Sequence, residues 1–142
     1  TRSDGFKNAA TERGLAHEVE IQELNYSEKN KQAPIKKWLL EHENIDAVFC
    51  ANEDICYATF GAIEEIGLNI PRDIGIVSCD DSRWFKYLKT PITAIRQPTE
   101  EIGRLAIEVL LKRIHQTSRH AYQNILLNTK LIKRESCRER LR

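Results

Sequence analysis

IPRDIGIVSCDDSRW, residues 70–84, is the stretch whose reading decides the fold. An apolar, β-branched run from Ile74 to Val77 leads there into two adjacent carboxylates, Asp80 and Asp81. Such a run without alternation marks a parallel strand covered by helices on both faces. In open α/β sheets, ligands bind just beyond the carboxyl ends of such strands. Asp80 is therefore a candidate ligand residue. The plainer reading is that the Asp pair only starts a turn, as such residues often do.

Upstream, IDAVFCAN reads as another strand, with Ala47 to Cys50 buried and Asn52 at its carboxyl end. EDICYATFGAIEEIG follows as a helix with Ile55, Ala58, Ala62, Ile63 and Ile66 on one stripe and Gly67 as its stop. Earlier still, HEVEIQEL alternates like a strand, and Lys29 to Glu43 carries a helical stripe that includes Ile35, Trp38 and Leu39. Gly5 to Arg13 reads as the first helix, capped by Ser3 or Asp4 and stopped by Gly14. Downstream, SRWFKYLKTP is a loop or short helix, ITAIR a β segment, and Pro98 opens a long helix to Gln116. YQNILLNTKLIKRES offers two short β segments on either side of Asn128-Thr129. This alternation predicts an α/β fold, a three-layer α/β/α lobe with a mostly parallel sheet.

Charged residues make up 30% of the 142 positions and the net charge is +1, so the chain lacks the basic footprint of a nucleic-acid binder. No apolar run approaches the roughly 20 residues of a membrane span, and the polar start is not a secretory signal. There is no methionine, so the chain is expected to be part of a longer protein. Cys50, Cys56, Cys79 and Cys137 lack metal-ligand spacing and read as reduced structural thiols of a cytoplasmic protein. The four histidines are scattered. No metal, no cofactor and no catalytic residue is expected. The glycines are too sparse for a phosphate-binding loop.

Three stretches together resemble the ligand-binding region of the lactose and galactose repressor family of bacterial transcription regulators. They are RSDGF at the start, DAVFCANEDICYATFGAIEEIGLNIPRDIGIVSCDDS in the middle, and TPITAIRQPTEEIGRLAIEVLLKRI after it. The terminal LIKRES strand fits the same likeness. The resemblance implies a periplasmic binding protein-like fold of two lobes, of which residues 1–91 with 118–142 would be the C-terminal lobe. Residues 92–117 would be a crossover strand and helix belonging to the N-terminal lobe.

By the same resemblance, five residues face the cleft between lobes. Arg2 would donate paired hydrogen bonds to ligand oxygens, Tyr26 would stack on a flat face, and Asn52 would offer both donor and acceptor. Asp80 would accept from neighbouring hydroxyls, and Gln97 would reach in from the crossover. Apart from the resemblance, Trp84 follows the Asp-Asp turn and is placed to line the cleft mouth. Each has a plainer reading as well: Arg2 a solvated charge, Tyr26 a loop aromatic, Asn52 a helix N-cap. Ser78-Cys79 stands where the family has glycine and an aromatic, so the pocket wall differs, and Glu53 replaces the usual aspartate after Asn52.

The expected function is the effector-sensing domain of a repressor. It would bind a sugar or related small metabolite and be coupled allosterically to operator DNA through an N-terminal helix-turn-helix head outside this chain. A homodimer is expected, with the wide apolar face of the long helix docking on another copy or folding back on its own lobe, and no membrane partner. The alternative is a sugar-binding component of transport. An enzyme would need a base or nucleophile beside Asp80, and Cys79 is the nearest candidate.

Overall fold

The computed structural model describes residues 1–25, 27, 29–42, 44–115 and 123–137. Its sheet has four strands, Ala47–Cys50 (β1), Gly75–Cys79 (β2), Thr93–Arg96 (β3) and Lys130–Ile132 (β4), in the spatial order β1-β2-β3-β4. β1, β2 and β3 are parallel, with Cys50 opposite Ser78 and Cys79 opposite Ile95. β4 is the antiparallel edge, Arg96 facing Lys130. The expected α/β architecture with a mostly parallel sheet is what forms.

The helices are Arg2–Glu12 (α1), Gln32–Glu41 (α2), Glu53–Ile66 (α3) and Thr99–His115 (α4). Successive strand residues point to opposite faces, and β1 shows both. Phe49 stacks on Phe6 of α1, ring centroids 5.1 Å apart. Cys50, its neighbour, is fully buried in the cluster that includes Cys56, Ala62 and Ile63 of α3. On that second face Ile76, Ile92 and Ala94 are also sealed from solvent, with Phe85 from a 3-10 turn at Phe85–Tyr87 closing the end. α2 adds Ile35 and Leu39 to the same core. Gly67 ends α3 at φ 87°, a left-handed conformation that favours glycine.

Three local expectations are corrected. Thr1, not Ser3 or Asp4, caps α1, in a reciprocal box with Asp4. The HEVEIQEL stretch joins no ladder: Ala16–Glu18 is a 3-10 turn, and the residues after it run outside the sheet with Ile21 exposed. Alternation alone does not supply a partner strand. Among the described residues, the last segment forms one strand rather than two. β4 pairs with β3 only as far as Arg96, beyond which lie Gln97, Pro98 with no N–H to donate, and the start of α4. Residues before Lys130 therefore find no ladder, and Leu126 is 95% exposed.

Two placements bear on how the lobe is divided. β3, which the resemblance grouped with the crossover, lies between β2 and β4 of this sheet. α4 buries none of its residues, leaving Ile102, Ile107, Leu110, Leu111 and Ile114 exposed.

Candidate functional site

The carboxyl ends of the parallel strands bring side chains together from distant parts of the chain. Asp80 follows β2 directly, at φ 91°. Its N–H donates to the carbonyl of Ile95 across the ladder at 3.0 Å. Its carboxylate accepts from both terminal nitrogens of Arg2, Nη1 to Oδ2 at 3.1 Å and Nη2 to Oδ1 at 3.2 Å. Arg2 also donates to the carbonyl of Ala51, at the end of β1, at 2.5 Å. Gln97, just past β3, donates its Nε2 to Asp80 Oδ1. Arg2, Asp80 and Gln97 thus meet at one edge of the sheet. Arg2 and Asp80 keep part of their side chains in solvent, 41% and 29% exposed, so the cluster is open to a ligand.

Asn52 sits at the end of β1, and its Oδ1 accepts the Ile55 N–H at 2.8 Å as the N-cap of α3. The capping reading of this residue is realised, and its acceptor is committed to the helix. Trp84 is not brought to the cluster. It donates Nε1 to Glu53 Oε1 at 3.2 Å and packs edge-on against Tyr57, Phe60 and Phe85. Glu53 also accepts from Ser82, so its longer side chain ties the Asp-Asp turn to α3. Tyr26 lies outside the described residues.

Asp81, next to Asp80, is 4% exposed and held by two arginines. Arg134 forks onto it, Nη1 to Oδ1 at 2.8 Å and Nη2 to Oδ2 at 3.1 Å. Arg96 donates Nε and Nη2 to Oδ2 at 2.9 and 2.6 Å. Burial pushes this carboxyl up, but the hydrogen bonds and charges of Arg134 and Arg96 outweigh burial and hold it below its ordinary value. These two arginines were not singled out from the sequence. Arg134 lies 53 positions from Asp81, and no spacing rule joins them.

Burial pushes the Cys79 thiol up, which disfavours the thiolate a nucleophile requires. Among the described residues no three His, Cys, Asp or Glu side chains gather as metal ligands would. No described helix is long and apolar enough to cross a membrane. An open cleft of about 550 Å³ adjoins the site from Arg96 to Arg104. A larger one, about 700 Å³, lies elsewhere, between α2 and Glu65.

A polar cluster beyond the carboxyl ends of parallel strands lies where ligands bind in open α/β sheets. The chain belongs to the periplasmic binding protein-like domain family, whose model it matches over residues 1–137. It is 34% identical over 136 residues to the ribose operon repressor of Haemophilus influenzae, covering 95% of this chain and 41% of that protein. It is 34% identical over 137 residues to the HTH-type transcriptional regulator KdgR of Bacillus subtilis, covering 95% and 40%. A LacI family transcriptional regulator from Enterococcus faecium, solved with bound ribose, superposes with a TM-score of 0.80 at 28% identity, over 94% of this chain and 49% of that one. The resemblance read from the sequence holds: the relatives are repressors and regulators of the LacI type. The chain spans about two fifths of the curated relatives it matches.

Proposed function

We propose that this chain is the effector-sensing part of a bacterial DNA-binding transcription regulator, with a sugar or related small metabolite bound against Arg2, Asp80 and Gln97. The observation that carries this reading is the convergence of those three side chains beyond the strand ends. Arginine only donates and an ionised aspartate only accepts, while a hydroxyl does both. Two neighbouring hydroxyls can therefore replace the direct Arg2–Asp80 bonds with one charge-assisted bond to each partner. Asn52 and Tyr26 complete the proposed contacts. Trp84 serves as the aromatic wall that steadies the turn.

The effector bridges this lobe to a second one. Support comes from the bare apolar face of α4 and from relatives more than twice as long. We set the boundary between lobes after Arg96 rather than before Ile92, and the place of β3 between β2 and β4 supports it. Binding one lobe arrangement better than another shifts the population. In a homodimer that shift alters the spacing of paired DNA-reading heads, which must meet half-sites about one helical turn apart. The named relatives are regulators, and nothing among them favours the transport alternative. The same relatives favour a binding role over an enzymatic one, and a regulator of DNA acts in the cytoplasm.

Calorimetric titration of D-ribose into a form of the protein with both lobes tests the reading, since a ribose-bound relative makes that sugar the first choice. Asp80→Asn should weaken binding by about tenfold or more, the loss of a charged hydrogen-bond acceptor. An unchanged affinity would remove Asp80 from the site.

A further inference from the structure

The two strand ends meet crosswise. Asp80 pairs with Gln97 on the effector side, while the next residue, Asp81, pairs with Arg96 on the other. We propose that Arg134, in the segment after β4, is a positioning residue of the effector site, acting through Asp81 on Asp80. Its purpose rests on the effector reading above, but its geometry does not.

Asp80 adopts φ 91°, a conformation that L side chains seldom take without support. Part of that support is Asp80's own N–H bond to the Ile95 carbonyl, and more sits one residue on. Arg134 occupies both oxygens of the Asp81 carboxylate, whereas Arg96 reaches only Oδ2 and is 55% exposed. Only the planar fork of an arginine spans a carboxylate in this way. Arg134 is itself fixed. Its Nη1 also donates to the Ile92 carbonyl at 2.6 Å, and its backbone N–H donates to Thr93 Oγ1 at 3.0 Å.

Two residues further, buried Ser136 fastens the segment to the sheet. Its hydroxyl donates to the Ile76 carbonyl at 2.6 Å and accepts the Thr93 N–H at 2.8 Å, while its carbonyl accepts the Ile76 N–H at 3.0 Å. A chain segment that, among the described residues, hydrogen-bonds to Asp81, Ile92, Thr93 and Ile76 rather than to Arg2, Asp80 or Gln97 thus sets the backbone from which Asp80 points.

Amide hydrogen exchange on this chain, without ligand, tests the inference. Arg134→Gln should speed exchange at the Asp80 N–H on the order of tenfold more than at the Ile63 N–H in α3, because the turn opens locally. Arg134→Lys keeps the charge without the fork and should show the same selectivity to a smaller degree. It decides the matter if Arg134→Gln fails to fold. Equal acceleration at both amides, or none at Asp80, would overturn the positioning role and leave Arg134 merely structural. Failure of ribose to bind would count against the effector reading alone, since no ligand enters this measurement.

Discussion

Asp80 and Asp81 are the same residue type at adjacent positions, and the backbone turns them to opposite duties. Asp80 stays partly in water with Arg2 and Gln97, and Asp81 is buried between Arg96 and Arg134. The positive φ of Asp80 carries a cost that glycine would not bear. Asp80→Gly relieves that cost but loses the bonds to Arg2 and Gln97 and adds glycine's folding entropy, so stability should change by no more than about 1 kcal/mol in either direction, while the carboxylate leaves the site. Urea unfolding checks the first effect and ligand titration the second.

Asp81 makes a pH prediction. Its folded carboxyl lies below the ordinary value of 3.8. The stability it contributes is complete above that unfolded-state value and is lost as pH falls through the lower folded one. Urea midpoints followed from about pH 5 to about pH 2 should fall less steeply in Asp81→Asn than in the parent. The sequence made Asp80 readable because it ends a recognisable strand. It read Asp81 only as a turn residue, because the two arginines that bury it are distant in the chain.

At the scale of elements, α3 and α4 have comparable apolar stripes and opposite fates. α3 buries Cys56, Ala58, Thr59, Ala62 and Ile63, and α4 buries nothing. Asn52 caps α3, so Asn52→Ala should cost about 1 kcal/mol of stability while Asn52→Asp should cost little. Denaturant midpoints separate the two. Ile107 on α4 is 56% exposed, so Ile107→Asp should alter stability by no more than about 0.5 kcal/mol. If α4 is a docking face, the same change should weaken self-association or contact with a second lobe, read by sedimentation. The sequence revealed both stripes, but a hydrophobic stripe states only that a helix seeks a partner. Which partner depends on what else is folded beside it.

Across the whole molecule, the last described segment closes the lobe. Ser136 joins β2 to the start of β3 through three hydrogen bonds, and a Cβ on Gly75 of β2 would press on Ala47 Cβ of β1 at 3.3 Å. Ser136→Ala removes the hydroxyl partner of the buried Thr93 N–H and leaves the Ile76 carbonyl with the weaker Cys137 thiol donor, and should cost about 1–3 kcal/mol in chemical denaturation. The sequence by itself determined the order of the four helices and of the core strands, the parallel pairing of those strands, the helix stops at Gly14 and Gly67, and the nomination of Asp80, Arg2 and Gln97. Those depend on local periodicity, backbone preference and a contiguous likeness, all of which are written along the chain. Tertiary structure alone decided that Trp84 turns to Glu53 and its aromatic neighbours, that HEVEIQEL finds no ladder, that Arg134 clasps Asp81, and that Ser136 ties the last segment to the sheet. Those outcomes depend on which groups meet after the chain returns on itself, where hydrogen bonding and burial couple residues that no spacing along the sequence relates.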